Sequence, residues 1–94
     1  MSLIGRIRQK IQDRQYYISS HAEEEMAEDS FERSDVENAI LHGRVDKRLT
    51  RDIRGTRYRL VGQAIDGRTM EVICRFRKTG NLIIITVYEP EQQK

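Results

Sequence analysis

Between residues 56 and 88 the chain carries three runs, 56–65, 69–77 and 82–88, in which apolar and polar side chains alternate with period two and Val, Ile, Thr, Tyr and Phe predominate. That period fits a strand with two unlike faces. The connections are short: Asp66-Gly67 is a hairpin signal because glycine enters φ > 0 freely, and Lys78-Thr79-Gly80-Asn81 has the same chemistry. The stretch therefore predicts a three-stranded antiparallel meander.

Register follows from the requirement that each apolar set stay on one face. A four-residue loop in the second hairpin pairs Arg77 with Leu82, Arg75 with Ile84, Ile73 with Thr86 and Glu71 with Tyr88. Met70, Val72, Cys74 and Phe76 then face the core together with Ile83, Ile85 and Val87. In the first hairpin a three-residue loop closed by Gly67 adds Tyr58, Leu60 and Ala64 to that side. The opposite side receives Arg57, Arg59, Val61 and Gln63 beside Glu71, Ile73, Arg75 and Arg77, with Thr86 and Tyr88. One side is a core and the other is arginine-rich.

Ninety-four residues suffice for a single domain with one core. The lone cysteine, Cys74, falls on a predicted core strand and reads as a small buried hydrophobe in a reducing compartment. No apolar run has the length of a membrane helix, and the N-terminus lacks the apolar region of a secretory signal, so a cytoplasmic protein is expected. Charge is uneven. Residues 1–43 hold five basic and nine acidic side chains, whereas residues 44–78 hold eleven basic and four acidic. Either the sheet half meets a polyanion or the two halves attract each other.

Upstream of the meander, Leu3, Ile4, Ile7 and Ile11 share one side of a helix predicted over residues 2–14. Residues 16–19 read as a short extended piece. Ser20 with Glu23 forms a capping box that makes His21 the start of a helix over 21–29, with Ala22 and Met26 inward, Phe31 as an anchor, and Glu23, Glu24, Glu25 and Glu28 on a solvated face. A second box, Ser34 to Glu37, opens a helix with Val36, Ala39, Ile40 and Leu41 inward that stops at Gly43. His42 reads as a surface residue. Residues 44–53 are expected as a further strand with Val45, Leu49 and Ile53 as its apolar points. Glu89-Pro90 ends the sheet and residues 91–94 are expected to fray. Helices followed by an antiparallel sheet of three to four strands make an α+β domain spanning residues 1–94.

The arginine side suits RNA. Cleavage by the neighbouring 2′-hydroxyl needs a proton acceptor, a donor to the leaving oxygen, and fixed cations at the phosphate. Arg57, Arg59, Arg75 and Arg77 offer planar forks to phosphate oxygens, with Lys78 at the adjoining turn. Thr86 can hydrogen-bond phosphate. Tyr88 can stack on a base or donate its proton, and clustered arginines are expected to lower its pKa. Glu71 is either a general base or a counter-ion for two arginines. His21 is either a neutral ring able to accept a proton or a ring packed under the sheet edge. No spacing suggests a zinc site or a phosphate-cradling glycine loop, and no cofactor is expected.

Ser20-His21-Ala22 with Met26, then Ser34-Asp35-Val36-Glu37-Asn38-Ala39-Ile40 and Gly43, then Arg57 to Gly62, and Ile84-Ile85-Thr86-Val87-Tyr88-Glu89-Pro90 form an ordered set over residues 16–90. This set resembles small bacterial domains of unknown function distantly related to the RelE/MqsR mRNA-interferase toxins. The resemblance implies helices packed on one face of a twisted antiparallel sheet, RNA cleavage on the other, and a cognate antitoxin such as a small MqsA-like zinc-finger protein; the function expected is a metal-independent endoribonuclease acting on message at the ribosome. It carries over to His21, Thr86 and Tyr88, and to Arg57; Arg75 and Arg77 come from register alone, and Arg59 and Lys78 from their places on the sheet face and at the turn. The toxins commonly use lysines as well, whereas this side has only Lys78. The competing reading is a non-catalytic module that binds nucleic acid or protein.

Overall fold

The computed structural model describes residues 1–90. These residues form three helices, α1 (Leu3–Gln12), α2 (Ser20–Asp29) and α3 (Arg33–His42), and five strands, β1 (Tyr16–Ile18), β2 (Arg44–Leu49), β3 (Arg57–Gln63), β4 (Thr69–Phe76) and β5 (Leu82–Tyr88). The strands make one sheet in the order β1-β5-β4-β3-β2. The α+β class is as the element order predicts, and β2 to β5 are antiparallel. The sheet departs from expectation in being five-stranded and mixed, because β1 pairs parallel with β5, Tyr16 opposite Leu82 and Ile18 opposite Ile84. A parallel partner this far upstream leaves no local turn signal.

Both hairpins close the same way. Gly67 and Gly80 sit at φ +92° and +94°, and each ends a three-residue loop: Ala64 N–H donates to Arg68 O, and Arg77 N–H to Asn81 O. The first hairpin has the predicted register. The second does not, since its loop is one residue shorter than expected: Phe76, not Arg77, stands opposite Leu82, and Arg75 stands opposite Ile83 rather than Ile84. A bulge at Ile85 restores the predicted Ile73–Thr86 and Glu71–Tyr88 pairs. Its effect is to turn Leu82 and Ile84 into the core as well as Val87; all three are fully buried, and Ile85 is only partly covered.

These strand residues share one core with Ile7 and Ile11 of α1, Ala22 and Met26 of α2, Val36, Ala39 and Ile40 of α3, and Phe31 between the last two helices. Cys74 is fully buried there, which pushes its thiol up to about 12. Ile53, read as an apolar point of a long strand, is instead fully exposed in the loop after β2.

The helix starts also differ from the sequence reading. Ser19 rather than Ser20 caps α2, its Oγ accepting from Ala22 N–H at 3.1 Å while donating to Ile85 O at 3.0 Å. Helix α3 begins at Arg33 with Glu32 as its cap, and Asp35 accepts from the N–H groups of both Glu32 (2.8 Å) and Ile65 (3.0 Å), joining the helix start to the first hairpin turn. Gly43 is extended (φ −93°, ψ −162°), not left-handed, and a Cβ there would fall 2.3 Å from Ala39 O and 2.4 Å from Val61 O. It is required by close approach, not by helix termination.

Beyond Ile84, the outer edge of β5 has no partner strand among the described residues and is closed by side chains from α2 and its cap. Glu25 accepts from Val87 N–H at 3.1 Å and Asp29 from Glu89 N–H at 3.2 Å, next to the Ser19 bond. Glu25 is thus not part of a solvated face, although Glu23, Glu24 and Glu28 are exposed. Glu25→Ala leaves a partly covered strand N–H to water alone, and a loss of about 1 kcal/mol is expected in denaturant titration. The same change at Glu24 should stay within about 0.5 kcal/mol.

Candidate nucleic-acid interface

On the side of the sheet facing away from Leu60, Val72 and Cys74, strand register sets three rows of side chains. Arg44, Val61, Glu71 and Tyr88 form the first, and Lys47, Arg59, Ile73 and Thr86 the second. In the third, Leu49 faces Arg57, and Arg75, Ile83 and Tyr17 run across β4, β5 and β1. The alternation that buries one side of each strand delivers these residues to the other.

The carboxylates are already engaged. Asp46 takes Arg59 through both Nε (3.0 Å) and Nη2 (2.6 Å). Asp52 lies 3.2 Å from Arg57 Nε, close enough for an ion pair though not aligned as a hydrogen bond. A hydrogen bond from the Arg54 N–H, and then the charges of Arg57, Arg54 and Arg75, hold Asp52 below the usual carboxylate range. Sequence reasoning missed both aspartates as partners, although Asp52-Ile53-Arg54 carries the signal of an Asx turn.

Glu71 does not pair with the arginines. It accepts the hydroxyl proton of Tyr88 in a short hydrogen bond across the β4–β5 pair. Partial burial first, and then Glu71, raise the Tyr88 pKa, against a smaller opposing pull from Arg59. This reverses the expected direction, because partial burial and then the hydrogen-bonded carboxylate outweigh the pull of Arg59. Tyr88 is therefore a neutral donor.

Arg75 enters a groove of about 620 Å³ with Ile53, Arg54, Phe76, Arg77, Lys78 and Thr79. Arg77 lies just beyond β4 with its guanidinium 4.8 Å from the ring centre of Tyr17, an aromatic that register reasoning did not bring to this side. Lys78 is exposed in the turn. Among the described residues, no ion pair engages Arg44, Lys47, Arg75, Arg77 or Lys78.

His21 stands apart from these rows. Its ring is 65% exposed and its Nε2 lies 3.2 Å from Glu25 Oε1, the atom that also caps Val87 N–H. It is linked to the β5 edge beside Tyr88 without touching the phenol or an arginine of the face. His42 is exposed, its Nδ1 3.2 Å from Asn38 O, consistent with a surface role. Among the described residues no three His, Cys, Asp or Glu side chains converge as a metal site requires. Among the described residues no helix is long and apolar enough to cross a membrane.

Residues 18–89 match the model of a family described as Domain of unknown function (DUF4258). The chain belongs to this family. No curated protein and no solved structure matches it. The DUF4258 region runs from the end of β1 through β5, so it contains His21, Arg57, Arg59, Arg75, Arg77, Glu71, Thr86 and Tyr88. Helix α1 and Tyr17 lie outside it.

Proposed function

We propose that this DUF4258 chain is a RelE/MqsR-toxin-like endoribonuclease, with RNA lying across the arginine rows of the sheet and the helices packed behind it. The observation that carries this reading is the Tyr88–Glu71 hydrogen bond, a neutral phenol and a carboxylate set one row from Arg59 and Thr86. In the reaction, Glu71 takes the proton of the attacking 2′-hydroxyl, the 2′-oxygen bonds to phosphorus, and Tyr88 protonates the departing 5′-oxygen, leaving a cyclic phosphate. Arg59 and Arg75 hold the phosphate oxygens as charge builds, with Arg57, Arg77, Lys78 and Thr86 along the strand of RNA. His21 contributes only through Glu25 at the sheet edge. The cognate antitoxin, on the resemblance a small MqsA-like zinc-finger protein, covers the same rows, and the ribosome presents the message.

A second reading is a binding module without catalysis. It is favoured by the way Asp46 and Asp52 already hold Arg59 and Arg57, an arrangement complete without substrate. The two separate on induction in a bacterial host. Under the first reading, wild type stops protein synthesis rapidly and Arg75→Ala, at equal soluble expression, cleaves RNA about a hundredfold more slowly. Its stability should stay within about 0.5 kcal/mol of wild type. Uninterrupted synthesis alongside salt-sensitive RNA binding that yields no product selects the second.

A further inference from the structure

The two edges of the sheet are treated differently. On one side the sheet ends in β1, of three residues, and the stretch of β5 beyond it is closed by Ser19, Glu25 and Asp29, whereas on the other it ends in β2, of six residues, which among the described residues bonds to β3 alone. Unpaired strand edges are templates for another chain. We propose that the outer edge of β2 is the docking site for an extended segment of a protein partner that carries carboxylates and one apolar anchor, added as a sixth strand. This does not rest on the RNA reading, since it uses the strand edge and the space beside α1 and none of Arg57, Arg59, Arg75 and Arg77.

Charge selects the occupant. Arg44, Lys47 and Arg48 are exposed along β2, and its single carboxylate, Asp46, is bent at a bulge toward Arg59. A second copy in edge-to-edge pairing would set these cations against their equals, which disfavours self-association and favours an acidic strand. The anchor has a place to go. Where β2 leaves Gly43, a mostly apolar cavity of about 410 Å³ opens among Leu3, Ile4 and Val45, with Arg8 and Arg44 at its rim. Arg8 is fixed there by the carbonyls of Ile40 (3.4 Å) and Gly43 (2.8 Å), so the rim charge is preset. Leu3, Ile4 and Val45 are only partly buried, and an apolar side chain from an added strand would complete their cover.

The test is selection of short random peptides displayed on phage against the full chain, followed by amide NMR with a synthetic copy of the enriched sequence. The expected peptides alternate acidic and apolar residues and shift the amides of residues 44–49 and of Leu3 and Ile4. Two variants lie on the side of β2 away from the arginine rows: Arg48 pairs opposite Tyr58 and Val45 opposite Leu60. Arg48→Glu should weaken the peptide about tenfold with an unchanged melting curve, and Val45→Glu should abolish its binding. The proposal is overturned by no enrichment, by enriched peptides without carboxylates, by amide shifts elsewhere, or by affinity indifferent to Arg48→Glu. It is overturned equally by a concentration-dependent dimer that Val45→Glu dissociates, which would assign the edge to a second copy.

Discussion

Gly62→Ala should lower the melting temperature by on the order of 15 °C. Gly62 lies in β3 opposite Met70, where the C-terminal half of α3 crosses the sheet. A Cβ at this position would sit 2.2 Å from Ala39 O and 2.8 Å from Ala39 Cα, and these are backbone atoms that no rotamer change can move. Gly43, the residue that follows α3, is held against the same carbonyl and against Val61 O, so the helix end is close to β3 at two glycines. Relief requires α3 to lift off β3, loosening Val36, Ala39 and Ile40 from the core at a cost of about 3 kcal/mol. Gly5→Ala supplies the contrast. Its nearest neighbours are the Met1 side chain and the capping Ser2 Oγ at 3.1 Å, with no backbone atom among them, so Gly to Ala there should change stability by no more than about 1 kcal/mol. Circular dichroism melts of the two variants check both, and a Gly62→Ala melt within a few degrees of wild type would show that α3 is not pinned there.

That close approach also marks where sequence reasoning stops. Gly43 and Gly62 are equally visible in the chain, but nothing local says that they face one carbonyl, since contact between a helix and a strand twenty residues apart is a tertiary fact. The period-two runs were sufficient for β3 to β5, for the first hairpin register and for the pairs Glu71–Tyr88 and Ile73–Thr86. They failed at Leu82-Ile83-Ile84-Ile85, where four apolar residues in succession have no parity of their own and a bulge decides which of them turn inward. The arginines were legible as a group, whereas their partners were not. Asp46 reaches Arg59 from a bulged edge strand and Asp52 reaches Arg57 from a turn, and neither position follows from alternation.

Tyr88→Phe and Glu71→Gln together test whether the pair between β4 and β5 does chemistry or only joins the strands. On the endoribonuclease reading each should cut RNA cleavage by about 10²- to 10⁴-fold, because one removes the donated proton and the other the acceptor, while RNA affinity changes little. Stability should fall by only about 1 kcal/mol in either case, since both groups are partly exposed and water can replace the lost partner. The pH dependence has a fixed sign. The folded-state pKa of Tyr88 is raised above 10.0, so its contribution to stability is complete below pH 10.0 and is lost as pH rises through the raised value. Tyr16, held up by burial and by Glu37, behaves likewise in both proteins and cancels in the comparison. Wild type should therefore lose stability more steeply than Tyr88→Phe above pH 10.0, as read by denaturant midpoints across that range. If the alkaline difference appears and cleavage by Tyr88→Phe equals that of wild type, the hydrogen bond is structural and the phenol takes no part in the reaction. If cleavage falls with affinity retained, Tyr88 is the proton donor, because the substitution leaves the ring and every arginine of the face in place.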